Sequence, residues 1–119
     1  MTTSDVLAAL GSLAQETRLE VFRLLVQQGP EGLPAGQIAE ALEVPASSLS
    51  FHLHQLMHAG LITQERRSRQ LIYAASYGHM NALVAYLTEN CCGGASCGPE
   101  TERRAPPPRA ARTGGRGRR

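Results

Sequence analysis

The chain has 119 residues, room for one small domain, with 12 basic against 10 acidic side chains and a formal net charge of +2. It contains no lysine, and the positive excess comes from arginines in the last twenty or so residues, so net charge alone argues weakly for a nucleic-acid partner. No apolar run reaches bilayer length, no secretory leader pattern opens the chain, and three cysteines cannot all pair within it. These features exclude a membrane-spanning or disulfide-scaffolded class and predict a cytoplasmic protein.

In chain order, Thr3, Ser4 and Asp5 suit the start of a first helix running towards Gly11, with Val6, Leu7 and Leu10 on one side. A second helix is predicted from Gln15 to Gln28, where Leu19, Phe22 and Val26 recur at helical spacing before Gly29-Pro30-Glu31-Gly32 ends it. A short helix from Ala35 to Leu42 follows, then the brief link Glu43-Val44-Pro45 and a helix from Ala46 to Ala59 closed by Gly60. Leu49, Leu53 and Leu56 form the inward stripe of that helix. Residues Leu61 to Glu65 and Gln70 to Ala74 read as paired strands, with Arg66-Arg67-Ser68-Arg69 as a charged hairpin tip. A last helix runs from Tyr77 to Asn90, with Met80, Leu83, Val84 and Leu87 on one face. The fold class is mainly α with a small β-hairpin: a winged helix-turn-helix over residues 1–97. The Gly, Pro and Arg-rich segment 98–119 is predicted to be a disordered tail.

Two short helices joined tightly, the second polar outside, followed by a basic hairpin, suit the reading of a DNA duplex. The polar inventory of the Ala46–Ala59 helix is Ser47, Ser48, Ser50, His52, His54 and Gln55. Hydroxyls near a helix N-terminus suit phosphates, and His and Gln can bond to base edges. For the helix alone a solvated polar face explains the pattern equally well. Arg66, Arg67 and Arg69 shift the balance, because guanidinium groups on a projecting wing can clamp phosphates or enter a minor groove.

In this order of elements the chain resembles the ArsR/SmtB family of metal-responsive transcriptional repressors. The matching stretches are Ala14 to Leu25, Ser48 to Ile62 with its Ser-x-His-Leu and Leu-x-x-Ala-Gly-Leu runs, and Arg69 to Tyr73. The resemblance implies a homodimer built on the first and last helices, a double-stranded operator of inverted half-sites, and release when a metal or metalloid binds. Many members resembling this chain carry paired cysteines in the helix before the recognition helix; here that segment, Gln37 to Leu42, has none.

The remaining thiols, Cys91, Cys92 and Cys97, lie at the end of the last predicted helix. Three soft sulfurs near flexible glycines suit trivalent arsenic, or antimony, which three thiolates satisfy; methylated arsenic needs only two. The expected function is a DNA-binding repressor released from its operator by As(III) as inducer. The alternative is a thiol redox sensor of the same fold, in which Cys97 pairs with Cys91 or Cys92. The run from Cys97 to Arg103 matches the Cys-x5-Arg anion loop of some phosphatases and arsenate reductases. It lacks the preceding strand and following helix that such a loop needs, so an enzyme is not expected.

Overall fold

Thr2 starts the first helix through a reciprocal pair of hydrogen bonds. Its hydroxyl accepts from the Asp5 backbone N–H at 3.1 Å, and the Asp5 carboxylate accepts from the Thr2 N–H at 3.0 Å. Two orphan donors are thereby satisfied, and the same bonds hold the Asp5 carboxyl below its ordinary pKa. The cap thus lies one residue before the Thr3–Asp5 run read from sequence, with Asp5 as the third helical residue rather than the cap.

The computed structural model describes residues 1–94. Its first unit, Met1–Leu87, contains α1 (Thr3–Leu13), α2 (Glu16–Gln28), β1 (Leu33–Pro34), α3 (Ala35–Leu42), α4 (Ala46–His58), β2 (Ile62–Arg67), β3 (Gln70–Ala75) and α5 (Tyr77–Leu87). Val21 and Leu25 of α2, Ile38 of α3, Leu49 and Leu56 of α4, and Leu61 before β2 are wholly buried. The apolar stripes therefore converge on one core, and α2 and α4 meet across it.

The sheet is antiparallel in the order β1-β3-β2, with Leu33 opposite Tyr73 and Ile62 opposite Ala75. β1 escaped the sequence reading because two residues carry no periodicity. It pairs where Gly32, at φ 71°, passes under β3; a Cβ there would lie 2.3 Å from the Tyr73 carbonyl oxygen. β2 runs two residues further towards the tip than expected, while β3 starts at Gln70 as read from sequence, leaving Ser68 (φ 58°) and Arg69 as the connection.

α5 is tied to both early helices. The Tyr77 hydroxyl donates to the Val26 carbonyl at 3.0 Å, in the last turn of α2 where carbonyls lack helical partners, and the Tyr86 and Thr3 hydroxyls are 2.8 Å apart. The helix ends at Leu87, three residues short of the expected Asn90. Asn90 and Cys92 both take left-handed backbone (φ 57°), which no α-helix accommodates. No helix among the described residues is long and apolar enough to cross a membrane.

Candidate nucleic-acid interface and cysteine turn

The link between α3 and α4 is held by backbone hydrogen bonds and by Val44 packed against the core. Glu43 adopts the left-handed conformation (φ 57°, ψ 46°) at the end of α3, and the Val44 N–H returns to the Ala39 carbonyl at 3.1 Å. Pro45 then enters α4, whose N-terminus has no side-chain cap. Its first-turn amides, with Ser47 and Ser48 exposed beside them, are the kind of donors that meet phosphate in helix-turn-helix proteins.

Around α4 the burial pattern divides the sequence-predicted residues. Ser47, Ser48, Ser50 and His54 are exposed, whereas His52 and Gln55 are half-buried. Phe51, absent from the predicted set, is 57% exposed on the face carrying Ser47, Ser50 and His54. A set chosen for polar groups had no place for it. Its position between Leu49 and Leu53, out of step with their inward stripe, was the signal that it points outward.

His52 packs edge-on against Phe51, with centroids 5.6 Å apart, and its Nδ1 lies 3.2 Å from an Arg18 guanidinium nitrogen. Burial first, and then the Arg18 charge, hold His52 below the ordinary histidine value of 6.5.

The wing arginines also part company. Arg67 bonds Glu65 at 3.0 and 3.2 Å and donates to the Glu31 carbonyl at 3.1 Å, stitching β2 to the loop before β1. The Glu65–Arg67 pair is exposed, worth under about 1 kcal/mol, so its effect is mainly orientation. Arg66 and Arg69 are exposed near the tip, the first on the opposite face of β2 from Arg67. Gln64 donates to the Tyr73 hydroxyl at 2.9 Å across the pair.

From Thr88 a separate unit begins. Its described part is a turn over Cys91–Gly94, with the Cys91 N–H on the Thr88 carbonyl and the Gly93 N–H on that of Asn90, both at 3.0 Å. Cys91 is exposed, and its Sγ is 3.7 Å from that of Cys92. Cys92, in left-handed backbone, takes part in a disulfide. Cys97 lies outside the described residues. Among the described residues no three His, Cys, Asp or Glu side chains converge as a metal site. Cys91 and Cys92 as thiolates suit a soft ion, but a disulfide at Cys92 withdraws the sulfur that such an ion needs.

A family model described as a helix-turn-helix domain matches residues 13–65. The arsenical resistance operon repressor of Bacillus subtilis is 35% identical over 81 residues, 68% of this chain and 73% of the relative. The chain belongs to the ArsR/SmtB family. Among solved structures, an ArsR-like transcriptional regulator from Rhodococcus aligns with TM-score 0.64 at 25% identity, over 71% of this chain and 76% of that one. Reduced HlyU from Vibrio cholerae aligns at 0.59 and 26%, over 76% and 92%. This ArsR/SmtB-family chain is therefore a DNA-binding winged helix-turn-helix regulator of transcription, and its relatives are regulators rather than enzymes.

Proposed function

We propose that the protein is a homodimeric repressor that holds its operator while its C-terminal thiols are reduced and releases it when Cys92 is oxidised. The observation that carries this reading is the disulfide state of Cys92 beside the exposed Cys91. A peroxide converts one thiol to a sulfenic acid with release of water; a second thiol, which we assign to Cys97, displaces the hydroxyl as water and leaves the disulfide. The glycines at 93 and 94 leave the intervening backbone free to turn.

Operator contact is assigned to the exposed face of α4, with Ser47, Ser48, Ser50 and His54 towards the duplex and His52 and Gln55 on its flank, and to Arg66 and Arg69 of the wing, Arg67 holding the wing in place. Dimerisation is assigned to α1 and α5, whose Leu7, Leu10, Val84 and Leu87 remain exposed as large apolar side chains. Two such subunits suit inverted half-sites read in successive major grooves. The cysteine turn follows α5 directly in sequence, so its redox state is well placed to bias the subunit arrangement. A coupling of about 1–3 kcal/mol weakens operator binding roughly 5–150-fold.

A second reading has its own support. The relative from Bacillus subtilis is named for arsenical resistance, and adjacent thiols at Cys91 and Cys92, completed by Cys97, suit As(III), Sb(III) or methylated As(III). The two inducers compete for the same sulfurs. The test is release of a duplex selected from a random library. Under the redox reading, peroxide releases it without arsenic and a thiol reductant restores binding. Release by arsenite in reductant, with peroxide inert, replaces that reading with the metalloid one.

A further inference from the structure

Arg18 touches three segments at once. Its backbone N–H is accepted by Gln15 Oε1 at 2.8 Å, which caps α2 and fixes where the side chain starts. Its Nε donates to the Ser12 carbonyl at 2.7 Å, in the last turn of α1 where carbonyls lack helical partners. Its terminal nitrogen reaches His52 Nδ1 on α4 at 3.2 Å. A guanidinium has donors and no acceptor, so in this contact Nδ1 must be the acceptor and the ring proton sits on Nε2. The same ring packs edge-on against Phe51, the large exposed apolar side chain of α4.

We propose that Arg18 is a positioning residue for DNA recognition: it locks His52 as the neutral Nε2–H tautomer, ties α4 to the end of α1, and so holds Phe51 in one orientation towards the duplex. The proposal rests on α4 being the recognition helix. An aromatic ring on that face suits the 5-methyl group of thymine in the major groove, the apolar mark that base pairs display there. Protonation of His52 removes the acceptor and sets two cations against each other. Among the described residues, burial first and then the Arg18 charge act on His52.

The test uses the full dimeric chain, nitrogen-labelled at histidine, and a duplex selected by the wild type from a random library. Histidine NMR should show the Nε2–H tautomer and a titration midpoint below the ordinary value. Arg18→Met should mix the tautomers, raise that midpoint and weaken duplex binding roughly tenfold, with circular dichroism and dimer mass unchanged. Wild-type affinity should fall as the pH drops below about 6.5, opposite in sign to the gain that added positive charge ordinarily gives a DNA-binding protein. His52→Asn, whose amide oxygen can accept without titrating, should retain binding and lose that fall. Replacing the contacted thymine by uracil should weaken the wild type and leave Phe51→Ala unaffected.

An Nδ1–H tautomer, or Arg18→Met with unchanged midpoint and affinity, overturns the proposal. If Arg18→Met does not fold, His52→Leu decides, since it must lose the binding that His52→Asn keeps and parity between them overturns the link. Failure of the recognition-helix reading is separate: it would leave binding indifferent to Ser47→Ala and His54→Ala as well.

Discussion

Gly32 and Gly36 are four residues apart and answer opposite demands. Gly32 lies in left-handed backbone beneath the Tyr73 carbonyl, where a Cβ has no room, whereas a Cβ at Gly36 in α3 meets nothing within 4 Å. Gly32→Ala should therefore cost at least about 2 kcal/mol, from backbone strain and displacement of β3. Gly36→Ala should gain about 0.5–1 kcal/mol by relieving helix entropy. Urea midpoints on the two variants check the pair. His52 supplies a further residue-scale prediction. Its folded-state pKa lies below the unfolded value, so between the two the unfolded chain binds more protons and stability rises with pH. The contribution is complete above about pH 6.5 and lost as pH falls through the folded value. Denaturation midpoints across that range should lose this slope in His52→Asn. Neither glycine's environment was legible in the sequence, because both depend on which backbone passes overhead. The Arg18–His52 contact spans thirty-four positions and was equally invisible.

At the scale of elements, periodicity located α1 to α5 among the described residues, and α2 and α4 each bury a repeating stripe. It did not say how far each stripe turns inward. Met80, Leu83, Val84 and Leu87 formed one predicted face, yet Leu83 is buried while Val84 and Leu87 are more than half exposed. Val6 and Leu7 divide in the same way, at 4% and 64% exposed. A stripe wide enough for two surfaces serves the core with one edge and is assigned a second copy of the chain with the other. Leu7→Glu with Val84→Glu should then yield monomers by sedimentation while leaving the helical spectrum intact; a persistent dimer would move the interface elsewhere. The wing teaches a similar lesson. Three arginines looked equivalent in sequence, but strand alternation and the Glu31 carbonyl enlist Arg67 in the fold. Arg66→Ala and Arg69→Ala should each reduce the salt slope of duplex binding by about one. Arg67→Ala should instead loosen the hairpin, read as faster amide exchange in β2.

For the whole molecule, the helix-turn-helix and its wing were readable because local spacing specifies them, and the family because the stretch from Ser48 to Ile62 resembles its motif. The chemistry of the inducer was less so, because one cluster of sulfurs serves either a soft ion or a redox couple. The disulfide at Cys92 supports the redox use, which we propose, since an oxidised sulfur is no ligand. The most direct measurement follows thiol state and operator occupancy in one sample. The full-length dimer on its selected duplex is treated with peroxide in metalloid-free buffer, thiols are trapped for mass spectrometry at intervals, and anisotropy reports bound DNA. The account predicts that DNA leaves in step with formation of the Cys92–Cys97 disulfide, returns on reduction, and stays bound in Cys92→Ser. A duplex that stays bound while that disulfide forms, or leaves equally from Cys92→Ser, would contradict it.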